Sequence, residues 1–98
     1  MEIELTQRAQ IALDHLPPSD QKKVHRLILS LVNFPVDNNL HRVVSKIQFA
    51  PDSNTFMGKA GLVYRVIFRP EGDTIKVLEI VHHSRLESFF RNLRGGGQ

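Results

Sequence analysis

The chain has 98 residues, a formal net charge of +3 and no cysteine. This length suits one compact domain and is too short for two ordinary ones, and the lack of cysteine excludes disulfides and thiolate metal sites. The first ten residues contain no apolar signal core, and no apolar run is long enough to span a bilayer, so we expect a soluble cytoplasmic protein.

The first third of the sequence predicts a short edge strand followed by two amphipathic helices. Ile3 and Leu5 alternate with polar residues, and Thr6 is a suitable N-cap for the first helix. Pro17-Pro18 separates the helices, and Ser19 is the expected cap of the second. The apolar residues at helical spacing are Ala9, Ala12, Leu13 and Leu16 in the first helix and Val24, Leu27, Ile28 and Leu31 in the second. So short a connection predicts a helical hairpin.

After residue 35 the periodicity changes from helical to alternating, which predicts strands. Residues 43–49 are typical of a half-buried strand, whereas Gly58 and Gly61 bracket a stretch that we expect to be flexible. Residues 62–68 are almost continuously apolar, as in a central strand covered on both faces. The chain then turns at 70–73 and returns as a strand over 75–81.

The last part of the chain predicts a short helix over 85–93, with Ser84 as its cap. Its apolar side is made by Leu86, Phe89, Phe90 and Leu93. The glycines that follow predict a frayed end, so we expect one domain over residues 1–94 and a disordered tail over 95–98. Early helices and late strands together predict an α+β fold, a helical hairpin packed on a small antiparallel sheet with a short C-terminal helix.

Ionisable residues inside the two most apolar strands are the first candidates for function, because a charge in a sheet is costly unless it is paired or used. We expect Arg65 to lie across from Val77 or Glu79, so that Arg65, Glu79 and His83 line one face. An arginine there supplies a cation for a phosphodiester, and a histidine exchanges a proton near neutral pH. The structural alternative is an ordinary cross-strand ion pair between Arg65 and Glu79. The helices should cover the opposite face, with Tyr64, Val66, Phe68, Leu78 and Ile80.

Other polar clusters carry weaker signals. Adjacent His82 and His83 should face opposite sides of the sheet and so cannot share an ion, and we expect no metal site. The basic residues 22, 23 and 26 are typical of a solvated helix face. A basic side of the last helix suits RNA or an acidic partner, and it consists of Arg85, Arg91 and Arg94.

Two motifs, VYRVIF around Arg65 and IKVLEIVHHSR after the turn, resemble the C-terminal half of the RelE/ParE toxin superfamily. A short strand, a helix ending in LP and a second helix closing before a proline match as well, so the resemblance covers nearly all of residues 3–90. It implies the toxin of a type II toxin–antitoxin system that needs no cofactor. It also implies a cognate antitoxin protein as partner, in a toxin–antitoxin hetero-oligomer, and no membrane association.

The RelE-like branch of this superfamily consists of endoribonucleases, the mRNA interferases, which cut messenger RNA, usually on the ribosome, and inhibit translation. By this resemblance Arg65 stabilises the scissile phosphate, His83 acts as general acid and Glu79 is the candidate base. The remaining residues assigned to RNA binding are Lys59, His82 and Arg85. The terminal catalytic tyrosine of several family RNases has no match here, because Phe89 or Phe90 occupies that region.

Two alternatives to the RNase stay open. The ParE-like branch acts by binding DNA gyrase, and a toxin fold with weak catalysis would serve only as an interaction protein. Phe89 and Phe90 favour these alternatives, since neither can exchange a proton. Arg65 together with His83 favours the RNase.

Overall fold

The computed structural model describes residues 2–34, 40, 42–47 and 54–95. Its helices and strands are β1 (Glu2–Leu5), α1 (Gln7–Asp14), α2 (Pro18–Ser30), β2 (Val44–Lys46), β3 (Phe56–Ala60), β4 (Tyr64–Glu71), β5 (Thr74–His82) and α3 (Leu86–Gly95). Short 3-10 turns at Leu31–Asn33 and His83–Arg85 follow α2 and precede α3. The strands form one sheet in the order β1-β5-β4-β3-β2. The predicted α+β class is confirmed.

Thr6 is the N-cap of α1 as predicted, because its hydroxyl accepts a hydrogen bond from the amide of Ala9 at 3.1 Å. The same hydroxyl donates to the carbonyl of Leu78 at 2.9 Å, which fastens the start of the helix to β5. The prediction of Ser19 as the cap of α2 is wrong. The helix begins two residues earlier than that cap implies, at Pro18, where the fixed φ of proline suits the first helical position.

The sheet is mixed rather than antiparallel, because β1 pairs with β5 in parallel while the other neighbours pair antiparallel. A parallel partner is available here since two helices, not a tight turn, separate β1 from the rest of the sheet. As predicted, β1 is an edge strand.

Strand β3 occupies a segment predicted to be flexible, and Gly58 is the reason for the error. A Cβ at Gly58 would lie 2.9 Å from Cδ2 of Leu27, so this glycine lets α2 approach the sheet closely. The start of β4 was also predicted too early. Leu62 is 88% exposed and lies in the turn after Gly61, whose φ is +75°.

The predicted strand over 43–49 is confirmed only as β2, Val44–Lys46, and residues 48–50 lie outside the described ranges. Val43 packs with the helical hairpin and Ile47 on the other side of the sheet, so the two do not share a face as the alternation predicted. The end of the chain differs slightly too. Gly95 belongs to α3, and residues 96–98 lie outside the described part.

The sheet has a hydrophobic core on each face. Under α1 and α2 the fully buried strand residues are Val66, Phe68, Ile75 and Val77. Under α3 the buried residues are Ile47, Ile67 and Val81, against which Met57, Leu78, Leu86, Phe89 and Phe90 pack. Strand β4 is therefore covered on both faces, as its continuous apolar run predicts. No helix within the described ranges is long and apolar enough to cross a membrane.

Candidate active site

The pairing of β4 with β5 decides which polar side chains meet on the α3 side of the sheet. Arg65 lies opposite Val81, and Ile67 lies opposite Glu79. The prediction that Arg65 lies across from Val77 or Glu79 is therefore wrong. The register nevertheless keeps Arg65 and Val81 on the face that α3 partly covers, because directly opposed residues share a face.

Two local features produce this register. The hairpin turn is tight, with Gly72 at a φ of +60° and Asp73 as its two residues. A bulge then places both Leu78 and Glu79 against Ile67. One consequence is that Leu78, predicted to lie under the helical hairpin, packs in the α3 core instead.

Arg65 is fixed by the backbone and has a second cation beside it. Its Nη1 donates to the carbonyl of Tyr64 at 2.9 Å and to that of Gly61 at 3.4 Å. Exposed Lys59 on β3 lies directly opposite Arg65. Within the described ranges neither side chain takes part in an ion pair. Two cations held side by side without an acidic partner suit an incoming anion.

Glu79 pairs with a residue that the sequence did not single out. Its Oε2 lies 3.0 Å from Nε of Arg8 in α1, and its Oε1 accepts the amide of Ile80 at 3.2 Å. The alternative of an Arg65–Glu79 ion pair is therefore wrong. Because the side chain of Arg8 is 83% exposed, the pair adds little stability, but it turns the carboxylate towards α1. The distance along the chain left no sequence signal for this contact.

His83 lies at the end of the sheet nearest the start of β4. It is exposed, and its amide donates to the carbonyl of Val63 at 2.7 Å, two residues before Arg65 in the chain. Its ring stacks on that of His82, with centroids 4.7 Å apart and planes at 26°. The prediction that the two histidines face opposite sides is wrong, because β5 ends at His82 and strand alternation ends with it.

His82 caps the 3-10 turn that precedes α3, whereas Ser84, predicted as the cap of the last helix, lies within that turn. Its Nδ1 accepts the amide of Ser84 at 3.1 Å and lies 2.8 Å from the Ser84 hydroxyl. The rings of His82 and Tyr64, the only tyrosine of the chain, are nearly perpendicular, with centroids 5.4 Å apart. The His83 ring therefore stacks on a His82 ring that is itself held by its contacts with Ser84 and Tyr64.

Arg85 lies on a groove of about 310 Å³ between α1, β5 and α3, which Arg8, Glu79 and His82 also line. Phe89 borders the same groove and packs, half-buried, in the α3 core. Among the described residues no cluster of three or more metal-ligating side chains is placed to hold a metal ion. The side chains described at this site can bind an anion through their cations and exchange a proton through histidine.

No protein-family model and no curated protein matches the chain. Solved structures do match it. A chain of the RelB–RelE antitoxin–toxin complex from Methanococcus jannaschii superposes with a TM-score of 0.68 at 20% identity, over 89% of this chain and 98% of that one. A chain of the RelE–RelB complex from Pyrococcus horikoshii superposes with a TM-score of 0.66 at 20% identity, over 86% of this chain and 96% of that one. The YoeB/ParE toxin from Agrobacterium tumefaciens superposes with a TM-score of 0.67 at 14% identity, over 85% of this chain and 99% of that one.

The chain has a RelE/ParE-type toxin fold. The resemblance carried by the strand around Arg65 and by the segment over residues 75–85 is thereby confirmed for the fold. At these identities the likeness describes architecture, and the chemistry has to be argued from the residues of this chain.

Proposed function

We propose that this chain is the toxin of a type II toxin–antitoxin system and a RelE-like endoribonuclease that cuts messenger RNA and so inhibits translation. The observation that carries this proposal is the Arg65–Lys59 pair, two neighbouring cations without an acidic partner among the described residues, with His83 at the same end of the sheet. Structures of the same fold include toxins solved in complex with their antitoxins, which supports the assignment of an antitoxin partner.

The reaction suited to these groups is transesterification within the RNA strand. The 2′-hydroxyl attacks the adjacent phosphorus while the bond from phosphorus to the 5′-oxygen breaks, giving a cyclic phosphate and a 5′-hydroxyl. Arg65 and Lys59 stabilise the charged phosphorane, and His83 protonates the departing 5′-oxygen. DNA lacks the 2′-hydroxyl, so such a site selects RNA without needing a metal.

Glu79 is the carboxylate that we assign as the base for the 2′-hydroxyl. In register it lies two residues along β5 from the residue opposite Arg65. Its contact with Arg8 has to open or shift for this role, which makes Arg8 part of the proposal. His82 and Arg85 border the groove beside it and are assigned to RNA binding together with Lys59.

The proposal includes the cytoplasm as compartment, and a cognate antitoxin, messenger RNA and the ribosome as partners. A second candidate is a gyrase-binding toxin. It is favoured by Phe89 and Phe90, which pack half-buried in the α3 core where family RNases carry a catalytic tyrosine.

Induced expression in a bacterium separates the candidates when messenger RNA ends are mapped and plasmid supercoiling is measured in the same cultures. The RNase proposal expects growth arrest with new message ends and unchanged supercoiling. Growth arrest with intact messages and relaxed plasmids would favour the gyrase-binding toxin. Normal growth with a folded, soluble product would contradict both and leave an interaction protein.

A further inference from the structure

Residues 61–63 connect β3 to β4, and we name them the β3–β4 turn. The turn lies at one end of the sheet, next to the pair of Ala60 with Tyr64 that closes the two strands. Gly61 has a φ of +75°, a conformation that glycine adopts at little cost and that alanine disfavours. Two carbonyls of this turn bond to the two residues to which the proposed reaction assigns the cation and the acid, Arg65 and His83.

The first of these contacts sets the direction of the Arg65 guanidinium. Its Nη1 donates to the carbonyl of Gly61 at 3.4 Å and to that of Tyr64 at 2.9 Å. Within the described ranges its Nε and Nη2 have no partner, so one edge of the planar group stays free for a bidentate bond to phosphate. Because carbonyl oxygens carry no net charge, the cation is oriented without being neutralised.

The second contact places His83 beside the same turn. Strand β5 ends at His82, and the amide of His83 then donates to the carbonyl of Val63 at 2.7 Å. This bond continues the hydrogen bonding between β4 and β5 one step past the pair of Tyr64 with His82. The His83 backbone and the Arg65 guanidinium are thus bonded to carbonyls that lie only two residues apart in one turn.

The turn is itself supported by α2. A Cβ built on Gly61 would lie 3.1 Å from Cδ of Lys23, so the methylene stem of this lysine lies against the turn. A larger residue at position 61 therefore meets two obstacles, the positive φ and the lysine stem. Since the stem is flexible and can move aside, the backbone conformation is the main reason for glycine at this position.

We propose that the β3–β4 turn fixes Arg65 and His83 relative to each other, and that Gly61 is the positioning residue of the site. Its positive φ aims the Gly61 carbonyl at Arg65 and, through the next two residues, sets where the Val63 carbonyl meets His83. The reaction requires this spacing, because the cation and the acid act on the same phosphate group in one step. This inference rests on the proposed function and adds to it a residue that carries no reactive group.

The kinetic test compares Gly61→Ala with Gly72→Ala in the cleavage of a messenger RNA, free or on programmed ribosomes. Gly72 is the matched control, because it has a φ of +60° in the turn at the opposite end of β4, where a Cβ would meet nothing within 4 Å. Gly61→Ala should lower kcat by about 10- to 100-fold with KM within about threefold, whereas Gly72→Ala should leave both within about twofold. Gly61→Asn should recover part of the loss, since asparagine adopts positive φ more readily than alanine.

Double variants separate a positioning role from a loss of stability. If Gly61 acts through the two groups, the loss caused by Gly61→Ala should shrink by at least about threefold when Arg65→Ala or His83→Ala is already present. A general loss of stability would lower the rate by the same factor in every background. Urea unfolding of Gly61→Ala and Gly72→Ala shows whether the strain in the two variants is similar.

NMR gives a readout that does not depend on activity. Gly61→Ala should speed hydrogen exchange of the His83 amide by about 3- to 10-fold, because its bond to the turn is weakened. The same variant should shift the Nε resonance of Arg65, whose guanidinium loses its bond to the carbonyl of residue 61. Gly72→Ala should change neither signal, since its turn lies at the other end of the strand.

Each result decides the inference. Equal cleavage by Gly61→Ala and Gly72→Ala would overturn it while the proposed function stands. An equal loss from Gly61→Ala in the single and double variants would make Gly61 a residue of stability only, and the inference would be wrong. If the unmodified protein cleaves no RNA, the proposed function is contradicted, and the NMR signals of His83 and Arg65 alone decide whether the turn holds both residues.

Discussion

Arg65 is held by backbone carbonyls before any substrate binds, so its role can be tested without disturbing the core. Arg65→Ala should lower the cleavage rate by about 10²–10³-fold, because one preorganised donor to the phosphorane is lost. The cleavage rate of Arg65→Lys should lie between those of the unmodified protein and Arg65→Ala, because lysine keeps the charge but lacks the planar guanidinium group. Arg69→Ala is the control. It removes the same residue type from the same strand, where Arg69 pairs with Glu71, and activity should stay within about twofold.

Substitutions of His83 and His82 should affect the cleavage rate in different ways. His83→Ala should lower the rate by about 10²–10⁴-fold if this ring is the general acid, and a substrate with a better leaving group should restore most of that loss. His82→Ala removes the stacked ring and the cap on Ser84, so we expect a smaller loss that the better leaving group does not restore. His82→Asn keeps an acceptor for the cap and should be milder. Rescue of His82→Ala by the leaving group would contradict these roles.

Substitutions of Glu79 and Arg8 distinguish whether Glu79 acts as the base or only forms a structural ion pair with Arg8. If Glu79 takes the proton of the 2′-hydroxyl, Glu79→Gln should slow cleavage by about 10²–10⁴-fold, while Arg8→Ala should leave it equal or faster because the carboxylate is released. Single-turnover rates measure this step directly. Equal, small losses in both variants would mean that the pair only positions α1, and the base would have to be sought elsewhere.

At the scale of secondary structure, the contact between α2 and β3 is a specific test of the packing. Gly58→Ala should destabilise the domain by about 1–3 kcal/mol, because the new methyl group would lie 2.9 Å from Cδ2 of Leu27. Leu27→Ala should cost about 2–5 kcal/mol by leaving a cavity. The double variant should be clearly more stable than the sum of the two losses predicts, as urea unfolding can show. Strict additivity would mean that α2 does not pack on Gly58.

Elements with one strong local signal could be predicted from the sequence. The spacing of residues such as Val24, Leu27 and Ile28 predicted α2 and the face it buries, and the hydroxyl of Thr6 predicted where α1 begins. A continuous apolar run predicted the central strand, because a strand covered on both faces has no polar side. In these cases local propensity and tertiary packing favour the same structure.

Features that depend on a distant partner could not be predicted. In the sequence, a glycine such as Gly58 is equally compatible with a flexible loop and with a strand packed closely under a helix. Only the contact with Leu27 in the folded structure distinguishes the two. The bulge at Leu78 has no local signal, yet it decides which residue faces Arg65. Within the candidate site the sequence therefore identified Arg65 and His83 as residues of interest but gave the wrong neighbours for them.

At the scale of the whole molecule, the sheet separates the larger core from the candidate site. The face under α1 and α2 holds the larger core, while the other face combines a smaller core under α3 with Arg65 and Lys59. Because β4 is the central strand and contributes buried residues to both cores, Arg65 is mounted on a strand that is packed on both faces. A site on a rigid strand suits electrostatic stabilisation, which depends on donors that do not have to reorganise.

The most direct test of the central claim is cleavage of a defined messenger RNA by the purified protein, both free with EDTA present and on programmed ribosomes in a magnesium buffer. The account predicts a cut that leaves a cyclic phosphate and a 5′-hydroxyl. This cut should disappear when the one nucleotide before it carries 2′-deoxyribose, disappear with Arg65→Ala and persist with Arg69→Ala. Cleavage of the 2′-deoxy substrate at an equal rate, or no cleavage in either setting, would contradict the account.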